Sequence, residues 1–426
     1  MSRIPLRSGE AHLTYCQNVH AVESADAILD ALGRWGARAA REVFGAGPAA
    51  AGLRLGAEAA AIFSTRDGRA RLGEALSRAN LYALTVNAFP YGAFQEGRVK
   101  EQVFAPPWTD EARLAYTSQV VTLLADLMPD GIAEGTVSTS PGTFRPWGDD
   151  REVRERIAEN LARAAERAWQ SLDRTGRSVR VCLEPEPFGT LQTQADALAF
   201  FEGPLRVHAA RWLSRRRGYP QGRAEGMIQE HLGVCLDTCH ALVAHEDPSA
   251  ALSAFRRADV AVGKIQISNA LHLPGGGADR RGLSALREYG EDRFFHQVVA
   301  QGSDGAAIWH VDLEALLSGW PDVPLPDAWK RSRDWRVHFH VPLFADALEG
   351  VPTLQEPLAT FLAWLGAQKG PHPHLEVETY TWSLLPRGNR PPPDEQETFE
   401  GICAELRWAM KRMQETGDGR QESGAR

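Results

Sequence analysis

Four short apolar runs, each closing on a side chain able to hold a metal ion, constrain this chain more than any other feature. They are Val181-Cys182-Leu183-Glu184, Val234-Cys235-Leu236-Asp237, Lys264-Ile265-Gln266 and Leu375-Glu376-Val377-Glu378. Strands that recur in this way and finish in oxygen ligands point to a metal site at the carboxyl face of a barrel. If the strands are parallel, Glu184, Asp237, Gln266 and Glu378 fall at matching strand ends and can converge on one ion.

Strand-like and helical segments alternate along the chain at intervals of several tens of residues, the rhythm of repeated βα units and a parallel sheet. Nine candidate strands stand out: Leu13 to Asn18, Leu53 to Glu58, Leu81 to Ala88, Gly131 to Ser138, Val179 to Leu183, Gly233 to Leu236, Val262 to Ile267, Arg336 to Val341 and Leu375 to Thr379. A (β/α)₈ TIM barrel takes eight. The surplus is accounted for by an insertion between strands 7 and 8, from about 273 to 335 and extending at most to 370, which opens on Pro274-Gly275-Gly276-Gly277 and contains a hairpin near Ser303-Asp304-Gly305. Either Arg336 to Val341 or Leu375 to Thr379 then serves as the eighth strand; the second is preferred. The clearest helix runs from about Asp150 to Leu172, with Val153, Ile157, Leu161, Ala165, Ala168 and Leu172 on one stripe and Gly176 after it. Residues 1–413 are expected to form a single barrel domain, and 414–426, polar and Gly-rich, a flexible tail.

At 426 residues and 43% hydrophobic, the chain can bury a large core. A net charge of −8 gives no footprint for phosphate-backbone binding, so nucleic acid is disfavoured as a partner. The five cysteines, an odd number in a long chain, suit a reducing compartment, and a cytoplasmic location is expected. Met1 to Gly9 lacks the apolar core of a signal peptide, and no apolar run reaches the length of a membrane span.

Three carboxylates and one amide oxygen would leave open positions on a six-coordinate divalent ion such as Mn²⁺, Mg²⁺ or Co²⁺, and Zn²⁺ also fits. The competing reading of any one of these carboxylates is a helix cap or a solvated strand end.

The residues also resemble a known family. Glu184-Pro185, Asp237-Thr238-Cys239-His240, Gln266-Ile267-Ser268-Asn269 and Glu378-Thr379-Tyr380 look like the fifth to eighth strand ends of the xylose-isomerase-like sugar phosphate isomerase and epimerase barrels. A closer resemblance, to the EboE proteins of bacterial metabolite traffic, rests on Leu13-Thr14-Tyr15-Cys16-Gln17-Asn18-Val19-His20, Ser138-Thr139-Ser140-Pro141-Gly142, His338-Phe339-His340-Val341-Pro342 and Leu375 to Trp382. It implies handling of secondary-metabolite precursors and supplies no chemical step. The chain departs from the ketose-epimerase pattern at Asn269, His272 and Glu186, positions that would contact substrate.

On this reading the metal ligands are Glu184, Asp237, Gln266 and Glu378. Glu184 and Glu378 are the acid/base pair, and His240 holds a hydroxyl or moves a proton. Ser138, Arg145, Tyr380 and Trp382 are candidates for substrate binding. Possible further site residues are His20, Glu186, Asn269, His272, His338, His340 and Glu376. His338 and His340 share one side of their strand, so both face the site or both face away. A buried Glu376 needs a partner, a histidine, a second ion or a polar layer. The expected ligand is a small hydroxy-carbonyl or sugar-like metabolite, with other proteins of the same pathway as possible partners. Three functions fit: a metal-dependent isomerase or epimerase, a non-catalytic metabolite carrier, and a phosphodiesterase like the apurinic-site endonucleases.

Overall fold

The computed structural model describes residues 3–6, 9–388 and 390–415. Eight parallel strands form the central sheet: β1 (Gly9–Tyr15), β2 (Ala49–Arg54), β3 (Leu81–Asn87), β4 (Glu134–Thr139), β5 (Ser178–Leu183), β6 (Leu232–Asp237), β7 (Val262–Ile267) and β8 (His374–Val377). They pair in sequence order, and β8 lies between β7 and β1. A parallel bridge from Cys16 to Gly52 joins the end of β1 to β2 and closes the cylinder. The fold is therefore a (β/α)₈ barrel, with an extra strand, Arg3–Leu6, turned back antiparallel on β1.

Local chemistry accounts for the elements around it. Helix Arg151–Thr175 starts where the Asp150 side chain accepts from the Val153 N–H, and it ends at Gly176, whose φ of 71° is left-handed. Its buried face carries Ile157, Leu161, Ala165 and Ala168, as the periodicity predicts. The last helix, Glu395–Gln414, opens with a reciprocal capping box between Asp394 and Glu397. Gln414 therefore ends a helix where the sequence suggested the start of a tail, and 416–426 lie outside the described residues.

Three of the predicted strands shift, the fourth in starting at Glu134 and not Gly131. The first lies at Gly9–Tyr15, which leaves Asn18 in the short helical turn Gln17–Val19. The second lies at Ala49–Arg54 and not at 53–58, because Gly56 already caps helix Ala57–Ser64. The all-small run Ala49-Ala50-Ala51-Gly52 carries little β-propensity yet is fully buried, so barrel packing overrides it.

The insertion between β7 and β8 builds its own antiparallel sheet, in the order Ala307–His310, Val298–Gln301, Arg333–Val341, Asn269–Leu273. It thus begins at Asn269, ahead of the predicted 273. The hairpin at Ser303-Asp304-Gly305 links the first two of these strands. Strand Arg333–Val341 belongs to this sheet, and His374–Val377 is the eighth barrel strand. Trp335, Val337, Phe339 and Val341 alternate into a second apolar core with Leu271, Leu273, Leu286 and Tyr289. Period-two geometry then turns His338 and His340 the other way, towards the barrel mouth.

Candidate metal centre

The barrel interior is polar just below its mouth. Lys264 on β7 and Glu376 on β8 are both fully buried and form an ion pair at 2.6 Å, with the Lys264 ammonium also donating to Ser138 Oγ at 3.2 Å. Glu376 thus has a lysine as its charge partner, while its Oε1 has no hydrogen-bond partner among the described residues. Gly52 makes room for this pair, since a Cβ there would lie 2.2 Å from Glu376 Oε1 and 2.3 Å from the Tyr15 carbonyl.

Above that layer, the strand ends gather carboxylates. Oxygens of Glu184, Asp237 and Glu378 all lie within 4.8 Å of one another, and all three residues are buried. Asp237 divides its roles. Oδ1 accepts from the His240 N–H at 3.0 Å, capping the next helix, and from Ser268 Oγ at 2.6 Å. Oδ2 has no hydrogen-bond partner among the described residues. Glu184 Oε2 is similarly unpartnered, as are both amide atoms of Gln266, which has no solvent exposure and stands in register with Asp237. Buried polar atoms left in this state cost the fold free energy unless something absent from the polypeptide satisfies them. A divalent ion with oxygen ligands fits these acceptors in number and chemistry.

The electrostatics follow from crowding. Burial, reinforced by the charges of Asp237 and Glu186, pushes the Glu184 carboxyl up to about 8 against the pull of His240 and Lys264. Burial, with the charges of Glu184, Asp237 and Glu376, pushes Glu378 well above the carboxylate range. Burial also lifts Glu186 to about 7. Burial opposes ionisation of Asp237 too, but the charges of His240 and His340 and the Ser268 hydrogen bond hold it below its ordinary value. His240 is raised despite its burial, by Asp237, Glu186 and Glu184.

A cavity of about 50 Å³ opens on these groups. Its walls include Glu184, Glu186, His240, His338, His340, Glu378 and Tyr380, roofed by Phe89, Pro90, Phe94 and Val103. The residues 88–105 that form this roof are clasped to the insertion: Lys100 Nζ reaches Asp312 at 2.6 Å and Glu314 at 2.9 Å, and the Val99 and Lys100 N–H groups donate to the Arg293 carbonyl.

Of the residues singled out from sequence, the structure brings Glu184, Asp237, Glu378, His240, Glu186, His338, His340 and Tyr380 together, with Gln266 beside Asp237. It places the others elsewhere. His20 stacks on Trp35 at 4.5 Å and meets the Tyr15 hydroxyl, away from the cavity. Asn269 ties down the Pro342 and Ala345 carbonyls, and His272 bonds Asp334 at 2.7 Å within the inserted sheet. Ser138 sits in the polar layer beneath the site, bonded to Lys264. Arg145 clamps Asp196 and the Thr190 carbonyl in loop structure, and Trp382 donates to Glu405.

Three contributors were not singled out from the sequence. Asn18 and Asn87 both donate to Glu378 Oε1, at 2.7 and 3.0 Å, and fix that carboxylate from the turn after β1 and the end of β3. Gln297 bridges His338 and Glu186. Asn87 closes the strand-like run Leu81 to Val86, and a search for any polar strand-end residue would have found it.

No protein-family model and no curated protein matches the chain. Among solved structures it is similar to a xylose isomerase-like TIM barrel protein from Mycobacterium smegmatis in complex with magnesium, at 11% identity over 95% of this chain and 96% of that one, TM-score 0.49. It is also similar to 3-keto-D-glucoside 4-epimerase, YcjR, from E. coli, at 14% identity over 84% and 89%, TM-score 0.39. A third is the IOLI protein with a binding zinc atom, at 12% identity over 94% and 96%, TM-score 0.40. At such identities and TM-scores no activity or metal passes from these proteins to this chain. No helix among the described residues is long and apolar enough to cross a membrane.

Proposed function

We propose that this protein is a divalent-metal-dependent enzyme that moves a proton between neighbouring carbons of a small hydroxy-carbonyl metabolite, as isomerases and epimerases do. The observation that carries the reading is the buried, unpartnered set Glu184 Oε2, Asp237 Oδ2 and Gln266, beside Glu378 at the mouth of the barrel. These four side chains would hold the ion, which when bound supplies Lewis-acid polarisation of a substrate carbonyl.

The chain's own groups supply the proton chemistry. Glu184 and Glu378 follow directly on β5 and β8; burial raises Glu184 to about 8, where a carboxyl can hold or release a proton near neutrality, and pushes Glu378 well above the carboxylate range, so that it holds its proton more firmly than a free carboxyl does. Asn18 and Asn87 fix Glu378 Oε1, leaving its other oxygen for the ion or the proton. His240 faces the same cavity and can bind a substrate hydroxyl. The aromatic roof excludes water from the reacting carbons. A cavity of about 50 Å³ admits a ligand of only a few heavy atoms, so larger substrates require the roof to part from the insertion. The EboE likeness of the motifs supports a place in the handling of secondary-metabolite precursors within the cell.

The test is proton exchange. In D₂O with Mn²⁺, small α-hydroxy aldehydes and ketones should acquire deuterium at the carbon next to the carbonyl, seen by NMR, and Glu184→Gln should abolish it. Tight binding of such compounds with no exchange under any divalent ion would favour a carrier instead.

A further inference from the structure

We propose that the inserted sheet exists to build a second, nitrogen-rich cation site beside the first, centred on His240 and completed by His338 and His340, with Glu186 and Asp237 as its flanking carboxylates. The inference rests on the oxygen-rich site only through Asp237, whose free Oδ2 would lie between the two ions.

Proximity is the first argument. Ligand atoms of Glu186, His240 and His338 lie within 4.8 Å of one another, as do those of Asp237, His240 and His340. The three imidazole rings lie 4.6, 5.1 and 5.9 Å apart between centroids. Buried histidines are not normally collected this closely without something between them, because each needs partners for its ring nitrogens.

Tautomers are the second and stronger argument. His240 Nδ1 lies 2.9 Å from the Pro185 carbonyl, and His340 Nδ1 lies 2.7 Å from the Glu378 carbonyl. A carbonyl only accepts, so both Nδ1 atoms carry hydrogen. Gln297 uses its amide hydrogens on Glu186 Oε1 at 3.1 Å and the Pro187 carbonyl at 3.4 Å. Its oxygen therefore meets His338 Nδ1 at 2.6 Å, and that nitrogen also carries hydrogen. All three rings thus have Nδ1 engaged and Nε2 left as the nitrogen able to take an ion, and those of His240 and His340 lie 4.0 and 3.9 Å from Asp237 Oδ2. Nε2 of His338 and of His340 is buried with no partner among the described residues. A ring whose far N–H is fixed by a carbonyl or amide oxygen, with a bare nitrogen in a cluster of like rings, has the arrangement of a metal-ligating histidine.

The third argument is origin. His338 and His340 come from strand Arg333–Val341, and Gln297, which orients His338, sits beside strand Val298–Gln301. The insertion therefore delivers His338, His340 and the amide that positions His338 to the space beside Asp237. Imidazole suits Zn²⁺ and Co²⁺, whereas the carboxylate and amide set below suits Mg²⁺ or Mn²⁺, so the two sites differ in preference.

The experiment loads chelator-stripped full-length protein with Co²⁺, removes excess by gel filtration, and measures metal per chain together with the visible Co²⁺ absorption. Two equivalents are expected in the wild type, one in His338→Gln/His340→Gln, and one in Glu184→Gln/Glu378→Gln, the last keeping the bands of a nitrogen-ligated ion. X-ray absorption at the metal edge of the singly loaded wild type, which needs no variant to fold, should show imidazole scattering with Zn²⁺ and lose it with Mn²⁺. One equivalent in the wild type, unchanged in the histidine variant and lost in the carboxylate variant, together with no imidazole scattering, overturns the second site and leaves the first. One equivalent lost only in the histidine variant supports the second site and removes the first.

Discussion

Replacing Glu184 with glutamine should make the metal-free protein more stable in alkaline solution while destroying its capacity for the ion. The Glu184 carboxyl is buried, leaves Oε2 unpartnered, and is pushed from 4.5 up to about 8, chiefly by burial and then by the neighbouring Asp237 charge. Between those two values the folded protein holds a proton that the unfolded chain has released, so stability falls as pH rises across that window and is level on either side. At about 1.36 kcal/mol per pKa unit, ionising this group in the fold costs on the order of 5 kcal/mol by pH 9. Glutamine keeps the shape and cannot ionise. Metal-free Glu184→Gln should therefore match the wild type near pH 4.5 and exceed it by roughly 2–5 kcal/mol at pH 9, the lower figure applying if Glu378 or Asp237 relaxes. Urea unfolding in chelator at pH 5, 7 and 9 measures the difference. Adding Mn²⁺ should then raise only the wild type, through ligand linkage. A variant less stable than the wild type at pH 9, or a gain equal at every pH, would refute the claim that this carboxylate is kept for an ion.

Lys264→Met strands the Glu376 carboxylate in the barrel interior and should cost about 3–5 kcal/mol in urea unfolding, most of it recovered in Lys264→Met/Glu376→Leu; an unaffected single variant would show that the pair at 2.6 Å is not what holds this layer. Asn18→Ala removes a donor from Glu378 Oε1 and should weaken Mn²⁺ binding by about 10–100-fold in calorimetric titration with little change in the melting curve; unchanged affinity would remove Glu378 from the ligand set. Gly52→Ala forces a Cβ against Glu376 and the Tyr15 carbonyl and should destabilise by about 1–3 kcal/mol, read from the same unfolding curves. Lys100→Ala releases the clasp to Asp312 and Glu314, and proteolytic nicking within 88–105 should quicken; wild-type resistance would mean that the roof is held by its aromatic contacts alone.

The sequence exposed the barrel and the oxygen-rich centre because both depend on local chemistry. A parallel strand buried on both faces is largely apolar, and Glu184, Asp237, Gln266 and Glu378 are polar residues at the carboxyl ends of such runs, so they could be singled out without knowing how the strands met. What stayed hidden depended on pairings between distant segments. Asn18 and Asn87 are ordinary amides until the closed cylinder brings them to Glu378, 360 and 291 residues further along. Lys264 was visible, but nothing local tied it to Glu376. The orientation of His338 and His340 was open until Trp335, Val337 and Phe339 were seen to share the insertion's own core, which decides the opposite face. His20, His272 and Arg145 carried the residue types of a site, yet their partners Tyr15, Asp334 and Asp196 satisfy them in place. Polar type alone did not separate a satisfied side chain from one left waiting for a ligand.

Anomalous diffraction from crystals of the full chain loaded with Mn²⁺ bears most directly on the central claim. A peak is expected at the mouth of the barrel, with oxygens of Glu184, Asp237, Gln266 and Glu378 at about 2.0–2.3 Å from it. A fully loaded crystal with no peak there, or with those four side chains bonded to one another and to water alone, would contradict it.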